Sequence, residues 1–286
     1  MVNFNVLNFS FLRRGVLSEN LTSYDVLKAI AIVLMLCDHI GYHFYPDETM
    51  LRVLGRLCIP IWFFLIGYSR TRDIPTTFWV GAVAVSLSAV MAGQVLLPLN
   101  ILFALIIWRA VIGSIMHRAL AVQGGLFGAF VTFIILAWPT SFLMEYGTLV
   151  VPFVMLGFLV RAYQDGFVSR WTRNVFGAAA FGAYFFIEGL KFTALTLLET
   201  GVLLGGLIAV FVALIVFKPH EWAVKSNVAK PLTRSLQILG RHTLLIYVVH
   251  VIVLRIISVI LEPERFPFLS VKIAPDHVIQ TLSTMI

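Results

Sequence analysis

Apolar residues run along this chain in long blocks separated by short polar stretches. The blocks fall at about 24–44, 51–69, 76–96, 99–116, 121–138, 147–162, 174–189, 193–217 and 239–261. Many approach the roughly 20 residues that cross a bilayer as a helix. A backbone in lipid must satisfy its own N–H and C=O groups, so each block is predicted to be helical. The pattern predicts an all-α, polytopic transmembrane bundle of about nine spans, nine to ten. The count turns on 93–118, where Pro98, Arg109 and Gly113 interrupt the apolar run. That stretch reads as one helix or as two half-helices. No repeat and no long linker divides the chain, so one domain is expected over 24–261. Residues 1–23 read as an interfacial segment, with Phe4, Leu7, Phe9, Phe11 and Leu12 against lipid headgroups. They lack the small-residue site of a cleavable signal peptide. Residues 262–286 form a tail.

Composition sharpens this picture. Of the 286 residues, 60% are hydrophobic and 12% are charged. Soluble domains carry about 45–50% and about 25%. An ordinary cytosolic enzyme, a disordered chain and a secreted disulfide scaffold are excluded. Both cysteines, Cys37 and Cys58, lie inside apolar blocks, which argues against a disulfide framework. The net charge of +7 does not indicate nucleic acid. The cations occupy short connections, as membrane topology requires. Arg13, Arg14 and Lys28 precede or open the first block, and Arg70 and Arg72 follow the second. His117 and Arg118 follow the fourth, Arg161, Arg170 and Arg173 surround the sixth-to-seventh connection, and Lys218, Lys225, Lys230 and Arg234 precede the last block. The alternate connections are poor in Lys and Arg. The bias predicts a cytoplasmic N-terminus and an external C-terminus.

Ionisable groups inside apolar blocks are costly, by at least about 2.5–3.5 kcal/mol each on insertion scales, and they concentrate in three places. The first block carries Lys28, Asp38, His39 and His43. Lys28 and His39 are eleven residues apart, so they share a helix face about 16 Å apart along the axis. Asp38 points about 100° away from His39, so an acid acting on a histidine would have to reach another helix or work through water. Two readings stand for His39: a neutral group hydrogen-bonded between helices, or a reactive imidazole. The second block carries Arg56, which keeps its proton and needs an anion. That anion is either Asp38, at similar depth, or a substrate carboxylate or phosphate. Pro60 frees a carbonyl one turn earlier and is expected to bend the helix. The last block carries Arg241 and His242 at its start, with Tyr247 and His250 three apart on one face. These read as an interfacial cap with a buried histidine, or as ligand contacts.

Three further features are weaker. Glu145 precedes a helix start, where a carboxylate suits the helix dipole, and a capping role competes with a catalytic one. Glu188 and Lys191 suit an i,i+3 pair, and Glu199 is another possible intramembrane acid. His39 and His43 have i,i+4 spacing but no third metal ligand, so no metal is expected. Walker-type phosphate loops, GxSxG elbows and HExxH motifs are absent from the sequence.

The stretches Asp38-His39-Ile40-Gly41, Leu51 to Phe64 with its Leu54-Gly55-Arg56-Leu57-Cys58-Ile59-Pro60 core, and Glu145-Tyr146-Gly147 resemble the TraX family. That family consists of inner-membrane proteins of bacterial conjugation associated with N-terminal acetylation of pilin. A wider resemblance is to membrane acyltransferases that O-acetylate surface polysaccharides. Lys28 and His39 are similar to their basic residue and histidine eleven apart, with Lys for Arg. Gly240, Arg241, Thr243, Tyr247 and His250 are similar to their late Gly-Arg-x-Ser-x-x-x-Tyr-x-x-His pattern, with Thr for Ser. The resemblance implies an acetyl-CoA-dependent acyltransferase of the bacterial inner membrane, with a pilin N-terminus as acceptor. It implies catalytic roles for His39, Asp38, Arg56 and Glu145, and donor binding by Lys28, Arg241, His242, Tyr247 and His250. The expected partners are acetyl-CoA, pilin and membrane lipid. The alternatives are a proton-coupled transporter and a pilin-processing, pilin-cyclising or scaffold protein.

Overall fold

The computed structural model describes residues 20–192, 194–223 and 230–270. The interfacial segment expected over 1–23 lies outside this range except for its last four residues, as does the tail beyond Ser270.

Each of the nine apolar blocks is helical at its centre. In chain order the helices are α1 (Ser23–Phe44), α2 (Thr49–Arg56), α3 (Cys58–Tyr68), α4 (Thr76–Met91), α5 (Ile101–Ala121), α6 (Gly125–Ile135) and α7 (Ala137–Thr140). After a 3-10 turn at Gly147–Val150 come α8 (Val151–Gln164), α9 (Arg170–Lys191), α10 (Leu197–Ile215), α11 (Lys230–Arg241) and α12 (Thr243–Leu261). Among the described residues the strands are a two-residue antiparallel pair, Leu21–Thr22 against Glu221–Trp222. Six stretches among the described residues are long and apolar enough to cross a membrane: α1, α2 with α3, α5, the 3-10 turn with α8, α10 and α12. Helices α4 and α6 are apolar but have only 16 and 11 residues. Helix α9 has 22 residues but carries Arg170, Arg173, Glu188 and Lys191. The uncertain stretch resolves into one helix, α5, which runs unbroken through Arg109 and Gly113.

The core is the α3–α8 pair. A Cβ on Gly67 would lie 1.7 Å from the Val154 carbonyl oxygen, and one on Gly157 would lie 2.1 Å from that of Phe64. Only glycine at both positions lets the two backbones touch. Phe63, Phe64, Phe153 and Leu156 are fully buried around this contact. The outer helices are inverted relative to a soluble protein. Leu197 and Leu198 on α10, and Ile260 and Leu261 on α12, are exposed apolar groups that suit lipid.

Sequence explains the local breaks. Thr22 caps α1: its hydroxyl accepts from the Asp25 N–H at 3.1 Å, and the Asp25 carboxylate accepts from the Thr22 N–H at 3.1 Å. Between α2 and α3 the helix breaks at Leu57. Pro60 has no N–H for the Arg56 carbonyl, and the Tyr184 hydroxyl of α9 donates to that carbonyl instead at 3.0 Å. The last block is not one helix as expected. Arg241 ends α11 and His242 stands between it and α12, so Lys230 and Arg234 lie on a helix rather than in a loop. Helix α11 buries Thr233, Gln237 and Gly240 and exposes Leu232 and Ile238.

Candidate functional site

The ionisable groups of α1 do not converge on one hollow. They leave the helix in different directions and build two separate centres, with a third cluster at the Lys28 end.

The first centre is a pair of histidines between α1 and α12. His39 Nδ1 lies 2.7 Å from His250 Nε2, and the rings stack with centroids 4.9 Å apart. His250 Nδ1 lies 2.6 Å from the carbonyl oxygen of Ile246. A carbonyl only accepts, so His250 Nδ1 carries a proton and donates it. In a neutral His250, Nε2 is then a lone pair, and His39 Nδ1 must donate to it. This chain of assignments leaves His39 Nε2 as the free lone pair of a half-buried imidazole. The Tyr247 ring completes the wall, 6.0 Å from His39 and 5.7 Å from His250 by ring centroids. One turn further, His43 Nδ1 donates to Ser258 Oγ at 2.7 Å, and that hydroxyl donates to Leu254 O at 2.9 Å.

The second centre lies across α1, against α2 and α9. Here the Asp38–Arg56 pair, one of the two readings of Arg56, is not a direct salt bridge, although Arg56 acts on Asp38 through space. Asp38 Oδ2 is 3.1 Å from Arg52 Nη1, one turn before Arg56. Arg56 Nε faces Glu188 Oε2 at 3.5 Å, and its Nη1 donates to the Tyr146 hydroxyl. Glu188 is fully buried and also pairs with Lys191, as the i,i+3 spacing predicts. Asp38 Oδ1, Arg56 Nε and Glu188 Oε2 are buried without a hydrogen bond. Gly55 permits the contact, because a Cβ there would lie 2.2 Å from the Asp38 Cβ. Glu145 acts as a cap, but of a different helix from the one expected. It accepts from the Ile101 N–H at 2.9 Å, at the first turn of α5, rather than at its own helix start. That bond engages the carboxylate of Glu145 in structure.

At the other end of α1, Arg241 Nη2 pairs with the buried Asp25 at 3.1 Å. Arg241 therefore closes α11 onto α1 instead of standing open to a ligand. His242 is exposed and makes no side-chain cap hydrogen bond to α12. Lys28 is half-buried and makes no hydrogen bond or ion pair among the described residues. No three His, Cys, Asp or Glu side chains come together as a metal-ligand group among the described residues. Glu199 caps its own helix through Thr196, whose N–H it accepts at 2.8 Å.

The sequence reading missed Asp25, Arg52 and Glu188 as functional-site neighbours. Thr22-x-x-Asp25 has capping-box spacing, and Arg52 lies four residues before Arg56 on the same helix face. The i,i+3 spacing of Glu188 and Lys191 draws attention to their pair, although Glu188 is also an acid inside an apolar block.

The sequence profile of a family described as "TraX protein" matches residues 23–258 of this chain. The chain belongs to the TraX family. The match spans α1 through most of α12 and so contains both centres. An uncharacterized protein of Rickettsia prowazekii, RP591, is 29% identical over 150 residues, which cover 51% of this chain and 59% of that protein. The chain thus spans about three fifths of the length of that curated relative. No solved structure matches it. Among the residues that carry the TraX resemblance, Asp38, Arg56, Tyr146 and the Gly55 contact lie in the second centre, while His39 lies in the first.

Proposed function

We propose that this TraX-family chain is an integral-membrane acetyltransferase of the bacterial inner membrane. It has nine spans and places the Lys28 end in the cytoplasm. It takes acetyl from acetyl-CoA and transfers it to an amine, the N-terminus of a conjugative pilin subunit. One observation carries the reading: the 2.7 Å His39–His250 hydrogen bond, which presents His39 Nε2 as an unprotonated base.

The acceptor amine attacks the thioester carbonyl. His39 Nε2 removes a proton from the attacking nitrogen, and a tetrahedral oxyanion forms. The Tyr247 hydroxyl, which makes no hydrogen bond among the described residues, is the available donor to that oxyanion. Collapse breaks the C–S bond. The proton passes from His39 to the leaving thiolate, giving free CoA and an N-acetyl product. His250 orients His39 rather than binding the donor. Asp38, Arg56 and Glu145 hold the adjoining helices, with Asp38 turned about 100° around α1 from the base.

The test is the mass of the candidate pilin from cells with and without this protein. A gain of one acetyl group that disappears in His39→Ala, with the variant present in the membrane at normal level, is the expected result. Full acetylation by His39→Ala would refute the base assignment. Loss of one water would instead indicate cyclisation, and pilin binding without any mass change a scaffold. Proton flux in vesicles lacking acetyl-CoA would favour a transporter, a reading that draws on the buried Asp38, Arg56 and Glu188 groups.

A further inference from the structure

Five cations collect at the Lys28 end: Lys28 on α1, Arg70 and Arg72 in the connection after α3, Arg109 on α5 and Arg161 on α8. Three of these arginines grip the same short stretch of chain. Arg72 Nη1 donates to Ile66 O at 2.9 Å. Arg109 Nε donates to Asp73 O at 2.8 Å, and its Nη2 to Thr71 Oγ1 at 3.1 Å. Arg161 Nη1 donates to Tyr68 O at 3.1 Å and to Ser69 O. Their partners are carbonyl and hydroxyl oxygens, not carboxylates. Among the described residues, Arg70 alone of the five has an ion pair, with Asp165 at 2.7 Å. Asp73 is the other acid nearby, and Asp25 is already paired with Arg241. The five cations against Asp73 and Asp165 leave a net charge of about +3 in one place.

Membrane orientation alone does not explain this. The positive bias requires only that cations lie on one side, and water satisfies them there. Here Lys28, Arg72, Arg109 and Arg161 are half-buried and converge from four elements. Burial, together with repulsion from Arg161 and Arg109, pulls the Arg72 guanidinium down to about 10. Arg109 also repels Lys28, against a larger attraction from Asp25. Their mutual repulsion, only partly offset by those carbonyl and hydroxyl oxygens, favours an anion beside them. Beside them is a cavity of about 600 Å³, lined by Arg70, Arg161, Asp165, Leu120, Phe158 and Phe167. The Arg161 guanidinium lies 4.8 Å from the centre of the Phe158 ring. A recess that joins guanidinium groups to flat apolar rings suits a phosphorylated nucleoside: cations for the phosphates and rings for the base.

We propose that this recess, together with the cation cluster that adjoins it at Arg161, binds a nucleotide bearing several phosphates, the nucleotide end of the acyl donor. In naming that ligand the inference rests on the acetyl-transfer reading. It moves donor recognition away from Arg241 and His242 to Arg161 in the recess and to Arg72 and Arg109 in the cluster beside it, with Lys28 near Arg109. Lys28 lies about 16 Å along α1 from His39. The thioester arm would run up that face of the helix.

The experiment uses the full chain in phosphatidylcholine nanodiscs, with adenosine 3′,5′-bisphosphate as the probe and calorimetry as the readout. Binding is expected, with adenosine alone giving none. Arg72→Gln and Arg109→Gln should each weaken it about tenfold, the loss of one charge-assisted contact. Absence of nucleotide binding to the wild-type chain, or equal affinity in folded variants, overturns the site. Phosphate groups also come on lipids. If phosphatidylglycerol in the disc abolishes nucleotide binding, and its retention falls in Arg72→Gln, the recess is a lipid site and the proposal fails. Should the buried-arginine variants not fold, the exposed Arg70→Gln carries the same test with a loss of about threefold, and an unchanged affinity counts against the site. The two readings fail separately. Nucleotide binding without any acetyl transfer ends the transferase reading and leaves the site. Acetyl transfer with an unchanged donor KM in Arg72→Gln ends the site and leaves the transferase.

Discussion

Replacing His250 by alanine removes the acceptor of the His39 Nδ1–H bond and tests the pairing directly. The magnitude follows from what that bond does during transfer. With His39 neutral it is an ordinary hydrogen bond, worth about 0.5–1.5 kcal/mol net. Once His39 has taken a proton on Nε2, the same 2.7 Å contact becomes charge-assisted, worth about 1.5–3 kcal/mol. Only the difference, about 1–1.5 kcal/mol, acts on the barrier, which corresponds to roughly a tenfold fall in kcat. The donor KM should hold, because His250 is not asked to touch the donor. His250→Gln, whose amide oxygen accepts a hydrogen bond, should recover part of the loss. His39→Ala should lose at least about a hundredfold, the lower end for a general base. The assay is thiol release from acetyl-CoA by the full chain in nanodiscs, with membrane level and unfolding temperature recorded for each variant. A folded His250→Ala protein with wild-type kcat would refute the orienting role. A rise in donor KM at constant kcat would return His250 to donor binding.

Two further outcomes are expected. Gly55→Ala puts a methyl 2.2 Å from the Asp38 Cβ and 2.7 Å from its Cα, so α2 must move from α1. Overpacking of this kind costs about 1–3 kcal/mol, and an unfolding temperature equal to wild type would contradict the close contact. Nine spans with a cytoplasmic start place the C-terminus outside, so a phosphatase fused after Ile286 should be active and a fluorescent protein fused there dark; the reverse pattern contradicts the span count or the orientation.

The helices were legible because lipid leaves a spanning backbone no other way to satisfy its polar groups. That argument needs only apolar length, and it found the segments of α1, α5, α8, α10 and α12. It fails where a helix is not apolar. Helix α11 turns Thr233, Gln237 and Gly240 inward and Leu232 and Ile238 outward, so its pattern is amphipathic in the reverse of the soluble sense. Depth along the chain placed Asp38 and Arg56 at one level, but depth does not give azimuth. Arg56 is the last residue of α2, at the break that Pro60 imposes, and it faces Glu188 on α9 while Arg52 takes Asp38. Glu145 was legible as a cap and not as a cap of α5. That contact depends on the chain at Leu99 pairing with Met144, a long-range bridge with no local signal. The His39–His250 pair joins positions 211 residues apart. The sequence supplied each histidine on an inward face, and the packing of α12 on α1 supplied the pair.

The division of α1 into two walls has a chemical consequence for the proposed transfer. In many hydrolytic sites a carboxylate orients the histidine and offsets the charge it acquires. Asp38 is next to His39 in sequence, yet the 100° step of the helix sends it to Arg52 on α2 and away from the histidine of α12. The orienting group for His39 is a second imidazole, which carries no charge to offset a proton. An imidazolium without a counter-ion is expensive at membrane depth, so it can exist only briefly. Acetyl transfer meets that condition, since the proton taken from the amine is wanted immediately by the departing thiolate. The base returns to neutral within one turnover and no net charge is left inside the bilayer. A reaction that required His39 to store its proton between steps would need the carboxylate that this fold has directed elsewhere.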